Sequence, residues 1–288
     1  MIPPSKWGLG DANLPVLALR RVYPVRMPDR KPFVGGNWKM NTNRSTGADL
    51  ARGVTDGVMT IDGVDVAVFP PFPYLLTIRS ILRDRGSSGR LGAQDVYFQG
   101  DGAFTGEVSV NMLKDCGVQC VLAGHSERRH VIGEKDELVN RKARAALEGG
   151  LEVILCVGET LDERTAGHQD IITTRQVRTG LADIPGSYMD RVIIAYEPVW
   201  AIGTGKTATP EDAQDAHKSI RAQLVRQYGQ DTAARVRIIY GGSLKPDIAA
   251  DIFAQPDVDG GLVGGASLNT ADFVAICKAA VAAGRAKP

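Results

Sequence analysis

The sequence has little that would suit it to nucleic acid, membranes or metals. Aromatic residues make up only 6% of its 288 positions, too few to build a base-stacking surface. Charge of one sign is missing: 34 Lys and Arg stand against 33 Asp and Glu, for a net charge of +1. No basic excess therefore points to a polyanionic partner. No apolar run approaches the ~18 residues of a membrane-spanning helix. The four cysteines, Cys116, Cys120, Cys156 and Cys277, form no CxxC pair and no zinc-ligand set. They read as reduced, buried thiols of a cytoplasmic protein. The four histidines, His125, His130, His168 and His217, show no HExxH or similar spacing, so no metal is expected.

What is present is a globular balance, 43% hydrophobic and 23% charged. Residues 1–31 stand apart. Leu14 to Leu19 is apolar, but it contains Pro15 and runs into Arg20 and Arg21 instead of a small-residue cleavage site. The segment reads as an extension outside the main domain, with Met27 an alternative start.

From residue 32 onward, short β-branched runs alternate with longer Ala-, Leu- and Arg-rich runs. Strands are expected at 33–38, 64–69, 90–94, 120–123, 152–156, 192–196, 236–240 and 260–263. Helices are expected at 45–59, 74–85, 110–116, 135–148, 170–181, 210–228, 246–253 and 271–282. Thr209-Pro210-Glu211 gives the helix expected at 210–228 an N-cap, a proline at N1 and an acid in its first turn. Eight strand–helix units over 32–288 match a single-domain α/β protein of the (β/α)8 barrel type. A doubly wound open sheet is the structural alternative. In a barrel, chemistry gathers at the C-terminal ends of the strands.

Strand 1 ends in Asn37-Trp38-Lys39, and Asn37 and Lys39 share a face of an extended chain. A lysine there can hold a phosphate or steady a developing oxyanion. Strand 4 runs into Gly124-His125-Ser126-Glu127-Arg128. Amides of a following helical turn would disfavour the imidazolium and leave His125 a neutral donor, with Ser126, Glu127 and Arg128 as supporting neighbours. Strand 6 leads through Glu197-Pro198-Val199-Trp200 to Gly203 and Gly205. That is a carboxylate at a strand end followed by a stiff exit and a permissive tip, as a lid over 198–208 requires. Gly205-Lys206-Thr207 is no P-loop, because position 200 is tryptophan instead of glycine. Gly203-Thr204-Gly205 is no dinucleotide turn, because six residues separate it from its strand. Ser243 after strand 7, and Gly264 and Gly265 after strand 8, follow the arrangement of a barrel phosphate site.

These motifs, GNWKMN at 36–41, AGHSERR at 123–129, YEPVWAIGTGK at 196–206, YGGS at 240–243 and GGAS at 264–267, resemble those of the triosephosphate isomerase family. The resemblance spans about 32–285. It implies a cofactor-free isomerase of glycolysis and gluconeogenesis that interconverts dihydroxyacetone phosphate and D-glyceraldehyde 3-phosphate. It also implies the family's roles: Glu197 as base, His125 as electrophile, Lys39 as cation and Asn37 as its neighbour. Phosphate would be held through Gly203, Ser243, Gly264 and Gly265. These roles are carried over from the family by resemblance. The stretch from Gln94 to Glu107 resembles the family's dimer loop, with Thr105 reaching a second subunit, so a homodimer is implied. Three features depart from the family pattern: residues 1–31, Asp95 where asparagine is usual, and Gly261 in place of a larger residue. Asp95 is expected to add a charge near the dimer loop. The alternatives are another phosphosugar isomerase or epimerase, and a non-catalytic binding protein on the same barrel.

Overall fold

Successive residues of a strand point to opposite faces, and in this chain both faces are apolar. A computed structural model describes residues 30–203 and 207–286. In it, Ala67, Phe69, Cys120, Leu122, Ile154, Cys156, Ile193 and Ala195 form one buried cluster. Their neighbours of opposite parity, such as Val66, Val68, Val121, Val153, Leu155 and Ile194, join a second cluster with the helices. A sheet with two apolar faces needs a filled interior and an outer coat, and a closed barrel supplies both.

The strands are β1 (Phe33–Asn37), β2 (Asp65–Phe69), β3 (Arg90–Ala93), β4 (Cys120–Ala123), β5 (Glu152–Val157), β6 (Val192–Tyr196), β7 (Arg237–Tyr240) and β8 (Gly260–Val263). They run in that order around a closed barrel, every pair parallel. The barrel closes where Phe33 of β1 pairs with Gly260 of β8. The open-sheet alternative is thereby excluded. The Phe69 ring takes up the space beside β3: a Cβ on Gly92 would lie 2.2 Å from it.

The outer coat comprises α1 (Arg44–Val58), α2 (Leu75–Asp84), α3 (Val110–Asp115), α4 (Asp136–Glu148), α5 (Leu161–Thr165), α6 (Gln169–Gly180), α7 (Pro210–Tyr228), α8 (Gln230–Arg235), α9 (Pro246–Phe253) and α10 (Thr270–Ala286). The cap expected for the helix at 210–228, here α7, is present: the Thr209 side chain accepts from the Asp212 amide, and the Asp212 carboxylate accepts from the Thr209 amide. Short helices α5 and α8 were not expected from the sequence. No helix among the described residues is long and apolar enough to cross a membrane.

Of the extension expected at 1–31, only Arg30 and Lys31 are described; the rest, Met27 included, lies outside the described residues. Arg30 Nε donates to Asp259 at 2.8 Å and Lys31 Nζ pairs with Asp65 at 2.6 Å, both at the N-terminal ends of strands. Arg237 bridges Asp65 (2.7 Å) and Glu152 (3.2 Å), and Arg90 completes the run at 2.8 Å from Glu152. Burial alone would raise the Asp65 pKa, but hydrogen bonds from Lys31 and Arg237 hold it below the usual 3.8.

His217 on α7 is fully buried and edge-on to Tyr196. Its Nδ1 lies 3.1 Å from the Asp257 carbonyl and so carries the proton. Burial pushes its pKa from 6.5 down to about 4. The unfolded chain therefore binds a proton between those values that the folded chain refuses, so stability falls as pH drops from about 6.5 to about 4. The loss approaches roughly 3 kcal/mol. Urea unfolding at stepped pH is expected to show this slope, and His217→Asn is expected to flatten it; an equal slope in both proteins would assign the effect elsewhere.

Candidate active site

Three strand ends, those of β1, β4 and β6, bring Asn37, Lys39, His125 and Glu197 together. Asn37 closes β1, and its Oδ1 accepts the Lys39 amide at 3.0 Å. Lys39 adopts a φ of 52°, a conformation that costs a non-glycine residue energy and is typical of functional positions. Gln94 fixes that turn by donating to the carbonyl oxygens of Lys39 and Phe69, each at 2.8 Å. Lys39 Nζ then reaches Glu127 Oε1 at 2.5 Å.

His125 follows Gly124 at the end of β4 and is buried. Its Nδ1 accepts the Glu127 amide at 3.3 Å. A ring nitrogen that accepts carries no proton, so the neutral ring bears its hydrogen on Nε2. Nε2 lies 3.2 Å from Glu197 Oε1, but not in line for a hydrogen bond: that oxygen has no hydrogen-bond partner among the described residues.

Glu197 leaves β6 and is 1% exposed. Its amide donates to the Val157 carbonyl at 2.7 Å, and its Oε2 accepts the Ser126 amide at 2.7 Å. The chain passes so close to β5 here that a Cβ on Gly158 would lie 1.7 Å from the Glu197 carbonyl oxygen. Cys156 sits beneath. Burial, and next the Glu197 charge, push its thiol well above 9.0. It stays neutral and adds no second anion.

Asn37, Lys39, His125, Glu197, Gly203, Ser243, Gly264 and Gly265 all line one cavity of about 340 Å³. Space beyond Gly265 is open. Ser126 and Glu127 flank it through the bonds just given. Thr105 does not line it; it is exposed on the loop after β3. Arg128, expected beside His125, instead pairs with Asp95 (2.9 Å) and Glu134 (2.7 Å). Asp95 likewise adds no open charge: it is buried, with both oxygens 2.8 Å from Lys142. Gly261 has no room for a side chain, since a Cβ there would meet Leu244 at 2.5 Å.

The cavity also includes Lys245, two residues past Ser243, which sequence reasoning passed over. A lysine so close behind a glycine pair after strand 7 was the available signal. Among the described residues, no group of three His, Cys, Asp or Glu side chains is placed to hold a metal ion.

The segment expected to be a lid begins with a single tight turn, Val199–Ala201. Positions 204–206, including Gly205 and Lys206, lie outside the described residues. The Ser243 hydroxyl donates to the Ala201 carbonyl at 2.5 Å. Trp200 Nε1 donates to Glu159 Oε1 at 2.9 Å, and the Arg164 guanidinium covers the Trp200 ring at 4.6 Å. Glu159 and Arg164 were not singled out from the sequence.

Residues 32–280 match the family described as Triosephosphate isomerase. The chain is similar to the triosephosphate isomerase of Carboxydothermus hydrogenoformans, with 51% identity over 88% of this chain and 100% of that protein. It is 50% identical to that of Chloroflexus aurantiacus over 86% of this chain and 98% of the relative. With that of Treponema denticola the identity is 49%, over 86% of this chain and 98% of the relative.

Proposed function

The chain belongs to the triosephosphate isomerase family, and from that premise we propose how its residues interconvert dihydroxyacetone phosphate and D-glyceraldehyde 3-phosphate. Glu197 takes the proton from the carbon beside the carbonyl. The C–H electron pair moves into the carbon skeleton and the carbonyl pair onto oxygen, giving an enediolate. Lys39 and the Nε2–H of His125 stabilise that oxygen more strongly as its charge grows, which is what lowers a barrier. His125 gives its proton to one oxygen and regains one from the other. Glu197 returns its proton to the neighbouring carbon. Amides near Gly203, Ser243, Gly264 and Gly265 hold the phosphate, with Asn37 orienting Lys39. The lid over 198–208 excludes water, which protects the enediolate from losing phosphate.

One observation carries this reading: base, neutral electrophile and cation converge on one cavity whose far wall is the glycine-rich backbone after β7 and β8. Family membership sets aside a different phosphosugar isomerase. The purified chain is expected to equilibrate the two triose phosphates, followed directly by proton NMR, with chelator present and neither metal nor nucleotide added. Failure to do so, or a need for added metal or nucleotide, overturns the reading.

We also propose a cytoplasmic homodimer serving glycolysis and gluconeogenesis, with residues 1–31 as an extension outside the barrel. Support for the dimer comes from the loops after β1, β3 and β4. They expose Met40 (96%), Phe104, Val131 (78%) and Ile132, large apolar side chains of the kind an interface covers. The loop carrying Thr105 is braced for contact: Tyr97 packs on Phe104 at 5.0 Å, and its amide donates to Val108. The free cysteines fit a reducing compartment. Sedimentation is expected to give twice the 30.8 kDa chain mass. A chain starting at Met27 is expected to match full-length protein in both sedimentation and turnover; loss of either gives the extension a part in the barrel or the interface.

A further inference from the structure

One side chain touches residues at both ends of the segment between β6 and α7. Arg164 stands on the five-residue helix α5 with its side chain about a quarter exposed. Its Nη1 donates to Glu159 Oε1 at 3.1 Å and its Nη2 donates to Asp212 Oδ1. The same guanidinium lies 4.6 Å from the centre of the Trp200 ring. The near end of the segment, just after β6, rests on Glu159. The Val199 amide donates to the Glu159 carbonyl at 3.0 Å, and Trp200 Nε1 and the Tyr196 hydroxyl donate to Glu159 Oε1 at 2.9 and 3.0 Å. The far end is Thr209, the cap of α7, whose amide donates to Asp212 Oδ2 at 3.0 Å. That bond leaves Oδ1 of the same carboxylate to Arg164.

Charge balance alone does not account for an arginine here. Glu159 is fully buried and needs a cation beside it, but a lysine would neutralise it as well. An ammonium is a point charge on a flexible stem. It could not reach Glu159 and Asp212 in a fixed geometry and cover an indole face at the same time. The guanidinium does all three because it is planar, and its two arms are rigidly joined. A displacement of Asp212 therefore tilts the plane and changes its seat on Trp200.

We propose that Arg164 is a positioning residue that couples the turn after β6 to the first turn of α7, so that the two ends of 198–208 shift together. This rests on the reading of that segment as the lid of a triose-phosphate isomerase. Ends that shift together cover the enediolate in one step; ends that shift separately admit water while it is present. In water the double-bond pair of the enediolate moves one carbon along and its oxyanion becomes a carbonyl. The bond from carbon to the phosphate oxygen breaks, and its electron pair leaves with inorganic phosphate.

The test uses the full-length protein and two variants. Asp212→Asn keeps an oxygen for the Thr209 amide, and so the cap of α7, but removes the charge that holds Nη2. Arg164→Lys leaves Glu159 a cation, so its urea midpoint is expected to stay close to the parent's. Acrylamide quenching of Trp200 is read as the difference between each protein and its Trp200→Phe counterpart. It is expected to rise about twofold in each variant, because a loosened stack uncovers the ring, and no further when the two are joined. Starting from D-glyceraldehyde 3-phosphate, phosphorus NMR counts inorganic phosphate above the protein-free rate and proton NMR counts isomerised product. Each variant is expected to release about fivefold more phosphate per isomerisation, the population shift that one stacked cation can hold. Destabilisation alone would lower both products and leave their ratio unchanged. Quenching untouched by Asp212→Asn, the parent's ratio in both variants, or effects that multiply when the variants are joined would each overturn the proposal. A parent that does not isomerise would instead overturn the isomerase reading, and quenching is measured without turnover, so the two failures are distinguishable.

Discussion

Replacing Glu197 by glutamine is expected to lower kcat by roughly a thousandfold, within the range that a positioned general base supplies. The substitution keeps the shape of the side chain and removes its charge. The amide oxygen can still accept the Ser126 amide, as Oε2 does at 2.7 Å, so the fold has no reason to change. The oxygen that loses its function is Oε1, which faces His125 Nε2–H and lacks a hydrogen-bond partner. On the proposed reading phosphate is held by backbone amides on the opposite wall, so KM is expected to move less than threefold, the pattern of an interaction made only in the transition state. Steady-state kinetics with circular dichroism on the same sample separates the cases. Turnover within tenfold of the parent would remove Glu197 from the role of base.

Replacing Lys142 by methionine is expected to cost about 3–5 kcal/mol of stability, the usual penalty for breaking a buried ion pair from one side. Lys142 is 2% exposed and lies between two buried carboxylates, both oxygens of Asp95 and Oε1 of Glu134. Burial raises the Asp95 pKa even with Lys142 and Arg128 opposing it. The group is therefore poorly solvated in its charged form, and its contribution to stability declines as pH rises through that raised value. Without Lys142, Arg128 alone would have to balance two anions. Methionine fills the stem's volume, so a cavity is not the cause. Asp95→Asn in the Lys142→Met background is expected to recover about half the loss, because it removes one stranded charge. Urea midpoints at fixed protein concentration measure both. A loss below about 1 kcal/mol would show that water already solvates the cluster.

The fate of Asp95 shows where sequence reading stops. Its pairing with Lys142 spans 47 positions, and nothing local in either segment announces it. From the sequence Asp95 is a charge beside a loop; packing of α4 under that loop turns it into half of a buried pair. The eight strands were legible because their apolar, β-branched runs are bounded by turns, and observed ends fall within one residue of expectation. Asn37, Lys39, His125 and Glu197 were legible for a related reason: each directly follows or ends such a run, so the barrel topology alone brings them to one rim. Helix α5 is only five residues long and has no periodicity to detect. Its one signal, Thr160 with Glu163 three residues on, is a capping box. Without that helix Arg164 cannot be placed on Trp200, and the contacts that hold the turn after β6 stay invisible.

The base of the barrel has a practical consequence. Arg30 and Lys31 fasten the chain to Asp259 and Asp65 at the end of the barrel remote from the substrate cavity. Strand β1 then carries it about 13 Å before reaching Asn37. In a chain shortened to begin at Arg30, an affinity handle, a fluorescent fusion or a linker to a solid support joined there would enter from the underside. An enzyme tethered in that way would present the mouth of its cavity to the bulk solution, an orientation that attachment through the surface lysines would not select.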